Sequence, residues 1–339
     1  MLELIKELCT LSGISGREDS VRDYIIDKIK DFAEYSVDPL GNLLVFKKGK
    51  KPAKNKVMLD AHMDEVGMIV TAVTSEGFLK FAKVGGINSK VILGRSVKVG
   101  KKAVNGVIGI KPIHLVDKDK EDTIPSADEL YIDIGAADKE EALSVVSPGD
   151  AVWFNSDFVE FGNGFVKAKA LDDRVGCAVL VEMIRSELEY DAGFSFSVQE
   201  EIGTRGAQTA AFNIAPDYAI VVETTTAADI SGVKDENRVC ICGKGGAVSF
   251  MDRSTIYNKS LFDKAFEIAK ENNIVCQPKT VVAGGNDAGA IHKSRGGVKV
   301  LTVSVPCRYL HSPTCVIKYS DAEESFKLIK AMAEEFASC

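Results

Sequence analysis

Val57-Met-Leu-Asp-Ala-His-Met-Asp-Glu65 is the stretch on which the reading of this chain turns. Val57–59 has the apolar character of a short buried strand, and it runs directly into His62, Asp64 and Glu65. Upstream, Leu43 to Phe46 reads as a second strand, separated from the first by the lysine-rich turn 47–56. Two helices come before these strands. Met1-Leu-Glu-Leu-Ile-Lys-Glu-Leu8 alternates charged and apolar groups at helical spacing. Ser15-Gly-Arg-Glu18 has the form of a capping box, opening a helix with the stripe Val21, Ile25, Ile29 and Phe32.

Downstream, residues 66–157 lose helical periodicity. Short β-rich runs alternate with turn signals such as Gly85-Gly86 and Ser147-Pro-Gly-Asp150, the texture of a small barrel or sandwich. The charged stretch 117–125 reads as a mobile surface loop. After Gly162 strands and helices alternate again: a helix over 174–188, a strand over 194–198 ending in Gln199-Glu-Glu201, and a strand over 218–222 ending in Glu223. A helix over 261–271 and a strand over 298–305 follow, and Ser320-Asp-Ala-Glu323 reads as a second capping box. The helix it opens turns Phe326, Ile329, Ala333 and Phe336 inward. The fold class is therefore α/β, a mostly parallel sheet flanked by helices. Residues 1–65 and 158–339 form the catalytic unit, interrupted by an inserted β-barrel or sandwich over 66–157.

Composition narrows the function. The 339 residues are 45% hydrophobic and 27% charged, ordinary values for a packed core. A net charge of −7 argues against a nucleic-acid groove, which usually presents a basic face. No stretch approaches the ~18 consecutive apolar residues of a membrane span. The amphipathic N-terminus lacks the basic start and apolar run of an export signal, and a cytoplasmic location follows. The eight cysteines show no zinc-ribbon spacing and read as buried, reduced thiols.

Acidic and imidazole groups sit just past strand ends: His62 and Asp64, Glu200 and Glu201, and Glu223. Asp172 and Asp173 precede a helix, and His311 lies in Tyr309-Leu-His-Ser-Pro313. In open α/β sheets ligands bind at that edge. Clustered buried carboxylates require a cation, and mixed nitrogen and oxygen donors suit zinc, cobalt or manganese. Taken singly, His-x-Asp can be a core pair, Glu200-Glu201 a solvated helix start, and Asp172 or Asp173 a helix cap. His114 and His292, away from acidic company, read as structural, and Gly243-Lys-Gly-Gly246 as a turn near the substrate.

Four motifs occur in order: Ala61-His-Met-Asp-Glu-Val-Gly67, Ala170-Leu-Asp-Asp-Arg-Val-Gly176, Gln199-Glu-Glu-Ile-Gly-Thr-Arg-Gly206 and Arg308-Tyr-Leu-His-Ser-Pro313. Together they closely resemble the tetrahedral (TET-type) aminopeptidases, a family of di-metal enzymes that includes glutamyl aminopeptidase. The resemblance implies a di-zinc exopeptidase-like fold and two divalent ions per subunit, zinc or cobalt. It implies that Asp172 bridges them, His62 and Glu223 completing one site and Glu201 and His311 the other. Asp64 would orient His62, Glu200 would be the general base toward a metal-bridging water, and the 172–173 peptide would be cis. It further implies short peptide substrates and a homo-oligomer in which dimers, joined through the insertion, build a dodecamer. Glu223 stands where the family often has Asp, and Asn286 where it commonly has Thr. A related deacylase or carboxypeptidase with the same metals is the alternative. A glycoside hydrolase also uses two carboxylates, but leaves His62, His311 and Asp172 unexplained.

Overall fold

The computed structural model describes residues 1–116, 118–120 and 123–339. Of the charged loop expected over 117–125, positions 117, 121 and 122 lie outside the described residues.

Four strands form the centre of the main sheet in the order Ala192–Ser197, Val57–His62, Tyr218–Thr226, Lys299–Arg308, all parallel. Every residue of Val57–His62 is buried, as are nearly all of Tyr218–Thr226 and Lys299–Arg308. Such unbroken burial follows from helices covering both faces of a parallel sheet. Leu171–Arg185 and Tyr319–Ser338 pack together over these strands, with Leu2–Thr10 against the former. Arg205–Ile214 and the single turn Ala288–Ile291 form a second helical group over the same strands. Antiparallel wings extend the sheet, Leu43–Lys47 and Glu34–Val37 on one side, Cys315–Lys318, Phe165–Ala168 and Val159–Phe161 on the other. Of the wing strands only Leu43–Lys47 is foreseen in the sequence; the others are three or four residues long, too short for periodicity to register, and the Arg205–Ile214 helix is also not foreseen.

Residues 67–154 contain the six strands of a closed barrel, so of the two forms the β-rich texture allows the chain takes the barrel. Its core, including Met68, Phe81, Val97, Ile108, Ile132 and Phe154, is separate from that of the main sheet. Gly67 sits where the barrel meets the sheet. A Cβ there would lie 2.3 Å from Ile14 Cγ2 and 2.7 Å from the Val152 carbonyl.

Several local expectations are corrected. Ser15 and Glu18 do not form a capping box: the second helix is Asp19–Ile29, and the Ser15 hydroxyl donates instead to Asp64 at 2.6 Å. Phe32 lies past that helix and is exposed. Ser320 is inside the last helix, which starts at Tyr319, and Asp321 accepts the N–H groups of Gly243 and Gly245. Those two bonds hold the Gly243–246 turn. Phe326 is half-buried, and all eight cysteines are free, although Cys242 and Cys276 are half-buried and Cys339 is exposed.

A buried ion cluster joins the N-terminal helix, the barrel entry and the long helix. Lys169 Nζ donates to both Glu65 oxygens at 2.7 and 2.9 Å. Fully buried Arg174 donates to the carbonyls of Met63 (2.9 Å) and Leu8 (2.6 Å). Arg174→Met keeps the bulk but orphans those carbonyls and weakens the Glu65 pairing. Loss of one partner from such a cluster costs about 3–5 kcal/mol, so urea unfolding of the variant should reveal a drop of that size.

Candidate metal centre

Because the four central strands are parallel, their C-terminal ends meet at one edge. His62 ends its strand in register with Ser197, Glu223 lies late in the neighbouring strand opposite Ser304, and His311 follows Lys299–Arg308. The structure thus gathers all seven residues singled out above: His62, Asp64, Asp172, Glu200, Glu201, Glu223 and His311.

Asp172 is at the middle. Its Oδ1 is 3.5 Å from His62 Nε2 and accepts from Thr224 Oγ1 at 2.7 Å, while its Oδ2 is 3.2 Å from His311 Nε2. Glu223 Oε2 lies 3.8 Å from His62 Nε2, and Glu201 Oε2 lies 3.2 Å from His311 Nε2. The 172–173 peptide is cis, as the resemblance implies. Asp173 Oδ1 accepts the N–H of Gly176 at 3.1 Å, the structural cap expected of it. A Cβ on Gly176 would come within 2.3 Å of the Asp173 carboxylate, so glycine is required there. Donor atoms converge in two groups, His62 with Asp172 and Glu201, and His62 with Asp173 and Glu223, each within 4.8 Å. Asp173 thus stands closer to the cluster than its structural role alone anticipates.

Asp64 organises the edge from beneath. Its carboxylate accepts the backbone N–H groups of Glu200 (2.9 Å) and Glu201 (3.1 Å), as well as the Ser15 hydroxyl. His62 Nδ1 is 3.1 Å from the Asp64 carbonyl and 3.4 Å from its Oδ1. A proton at Nδ1 is thereby held, leaving Nε2 to face the cluster. His311 Nδ1 is 3.0 Å from the carbonyl of Gly86, which belongs to the barrel segment. Ala170, Gln199, Tyr309 and His311 all take positive φ, of 54, 58, 59 and 57°. Strained backbone of this kind clusters at functional sites, although Ala103, Ala215, Asn273 and Arg295 take it elsewhere in the fold. The site roles of Ser15, Thr224 and the Gly86 carbonyl escape sequence reasoning: Ser15 reads locally as a helix cap and Gly86 as a turn residue, and the partners of all three are brought by the tertiary fold. His292 and His114 lie apart, the former with Nδ1 2.8 Å from the Ala288 carbonyl and the latter exposed.

Electrostatics follow from packing so many acids. Burial, together with Asp287, pushes Glu200 up to about 8, and burial pushes Glu201, Glu223 and Asp173 well above the carboxylate range. Burial opposes an imidazolium at His311, yet Asp172 and Glu201 raise its pKa to about 10. Glu223, Asp172 and Asp64 likewise overcome burial at His62. Burial would raise Asp172, but hydrogen bonds from His311 and His62 hold it well below the usual range. A cavity of about 140 Å³ opens onto these groups, and the Glu200 carboxylate borders it. A wider groove of about 1090 Å³ between Asp38 and Arg295 contains none of them.

These features define a hydrolase site of the metallopeptidase type. The chain belongs to the M42 glutamyl aminopeptidase family, whose model matches residues 41–328, and it is a peptide-bond hydrolase. A candidate aminopeptidase from Acetivibrio thermocellus is 40% identical over 97% of both chains. The structure of the Pyrococcus horikoshii TET1 peptidase, which can assemble into a tetrahedron or a large octahedral shell, is 38% identical with a TM-score of 0.87, over 98% of this chain and 99% of that one. A Thermotoga maritima structure described as an endoglucanase is 36% identical with a TM-score of 0.81, covering 98% and 96%.

The shifts fix how stability depends on pH in the absence of metal. Glu200 releases its proton near 4.5 when unfolded but keeps it to about 8 when folded, so raising pH across that window destabilises the fold. His311 shifts from 6.5 to about 10, and the stability it contributes below 6.5 is lost as pH rises through 10. Both slopes have one sign. Bound divalent ions require the deprotonated donors and oppose this loss. The gap in Tm between protein with added zinc and protein in EDTA should widen steadily from acid to alkaline pH; a constant gap would contradict this.

Proposed function

We propose that this chain is a cytoplasmic, metal-dependent aminopeptidase that removes the first residue from short peptides. The observation that carries the reading is the placement of Asp172 between His62 and His311, one oxygen toward each imidazole, at the edge of a cavity. The donor set suits divalent metal: two imidazoles and three carboxylates, with Glu201 Oε1 buried and lacking a partner among the described residues. His62 and Glu223 would hold one ion, Glu201 and His311 a second, and Asp172 both; zinc or cobalt matches this mixture. The ions supply Lewis acidity, which polarises a carbonyl and lowers the pKa of water toward neutrality.

Glu200 is the proposed general base. It borders the cavity, makes no side-chain hydrogen bond among the described residues, and has a proton affinity matched to neutral pH. It takes a proton from the attacking water and returns it to the departing amine. Asp64 fixes the backbone of Glu200, and thus the base's position, while orienting His62. The acidic rim attracts a free α-ammonium group, which favours exopeptidase action. A deacylase or carboxypeptidase would use the same centre but has no need of that preference. Glycoside hydrolysis, named for the Thermotoga structure, needs two carboxylates and leaves both imidazoles without a role.

Glu200→Gln should retain the bound metal and the fold while kcat falls by about 10²–10⁴. Elemental analysis beside aminoacyl-p-nitroanilide turnover decides this. Loss of metal, or near-normal turnover, would contradict the assignment.

We further propose that the unit over 66–157 mediates self-association. Val107, Ile110, Ile113 and Leu115 lie exposed on one segment of it, Ile113 by 69%. Apolar clusters of this kind mark interfaces, and the assembling TET1 relative supports a second copy as the partner. Dimers built this way, and a dodecamer of them, are the expected assembly. Light scattering should give a mass above that of one chain, and Ile113→Glu should shift it downward without changing near-ultraviolet ellipticity.

A further inference from the structure

Ser15-Gly-Arg-Glu18 has the spacing of a capping box, yet neither of its polar side chains caps a helix. Ser15 goes to Asp64. Glu18 immediately precedes the helix Asp19–Ile29, makes no capping bond to it, and is buried with its carboxylate turned the other way. Its Oε1 accepts the Gly16 N–H at 2.7 Å and, from far along the chain, the Gln199 N–H at 3.1 Å.

Gln199 lies where the chain leaves the strand Ala192–Ser197 to reach Glu200 and Glu201. Its φ of 58° is left-handed, which is disfavoured for any residue with a Cβ. Four consecutive N–H groups at this turn are received by side chains from elsewhere. Val198 donates to Asn42 Oδ1 at 2.9 Å, Gln199 to Glu18, and Glu200 and Glu201 to Asp64. Successive N–H groups in a turn attract anions, and here the chain supplies two of its own carboxylates. Asp64 holds the far half of the turn. The Gln199 carbonyl accepts from the Arg205 N–H at 3.2 Å, and its N–H rests on Glu18. Burial and the neighbouring Asp64 push Glu18 up to about 7, and Oε1 accepts whether the group is ionised or carries its proton on Oε2. The contact therefore depends on reach and not on charge.

We propose that Glu18 is a positioning residue for the reaction, setting the direction of Glu200 by holding the strained Gln199 from across the molecule. The inference rests on the aminopeptidase reading with Glu200 as base. Glu18 does not line the cavity and belongs to neither group of metal donors, so it acts only through the backbone of the turn. Without it Gln199 relaxes toward an ordinary φ and carries the Glu200 carboxylate out of line. Asp64 still holds Glu201, so the metal donors stay in place and the loss falls on the chemical step.

The test compares zinc-loaded wild type with Glu18→Leu, Glu18→Gln and Glu18→Asp. It reads aminoacyl-p-nitroanilide kinetics per bound metal, urea unfolding, and hydrogen exchange over 199–206 by mass spectrometry. Glu18→Leu should lower kcat by about 10–100-fold with KM and metal content unchanged, and exchange over 199–206 should quicken. Glu18→Gln keeps the reach and loses the charge, and should recover most of kcat. Glu18→Asp keeps the charge but is one methylene short, and should not. Unaltered kcat or unaltered exchange in Glu18→Leu overturns the proposal, as does a lowered urea midpoint with kcat per bound metal intact. If Glu18→Leu does not fold, the other pair decides: activity kept by Glu18→Asp and lost in Glu18→Gln overturns it equally. If the wild type cleaves nothing while exchange quickens in Glu18→Asp and not in Glu18→Gln, the peptidase reading fails and the hold of Glu18 on the turn stands.

Discussion

A single buried carboxylate, Asp64, sets the geometry on which the rest of the site depends. It accepts two consecutive backbone N–H groups, those of Glu200 and Glu201, and thereby pins the turn after Ala192–Ser197 to the turn after Val57–His62. The same group reaches the His62 ring and the Ser15 hydroxyl. Three separate parts of the chain, around residues 15, 62–64 and 200–201, are thereby joined at one anion. With Asp64 saturated, Glu200 and Glu201 are free to direct adjacent side chains differently, one to the His311 side and one to the cavity. A carboxylate accepting several backbone N–H groups stays ionised, and Asp64 does so against complete burial.

The cost of such an edge is electrostatic. His62, Asp172, Glu201 and Glu223 are all buried or nearly so, and the carboxyls other than Asp172 hold their protons far above the ordinary range. Asp172 escapes because two imidazoles face it from opposite sides. An arrangement that is unfavourable for the bare chain and strongly binding for cations is what a resident metal site requires. The fold tolerates it because the parallel strands beneath, with Leu59, Ile220 and Leu301 among their fully buried residues, supply apolar burial on both faces.

Much of this was legible before any coordinates. The alternation of apolar runs with helical stripes marked the central strands, and the acids just past their ends marked the edge; all seven singled-out residues are there. What escaped has physical reasons. The antiparallel wing strands Val159–Phe161 and Cys315–Lys318 are only three and four residues long, too short for periodicity to register. Ser15 and Ser320 looked like helix caps because Ser-x-x-Glu has that form, but the Ser15 hydroxyl donates to a tertiary acceptor, Asp64, and caps no helix N–H. The Ser320 helix began one residue earlier.

The barrel is less separate from the chemistry than its own core suggests. Its Gly86 carbonyl fixes the Nδ1 side of His311, and on the return path Ser156 Oγ donates to the Pro313 carbonyl, two residues beyond that histidine. Two hydrogen bonds from the insertion therefore grip the one loop that brings His311 to Asp172. The positive φ of Tyr309 and His311 is not an intrinsic preference of those residues, so the loop needs such external restraint. The insertion, which among its described residues supplies no titratable group to the site, thus contributes to it through a backbone carbonyl.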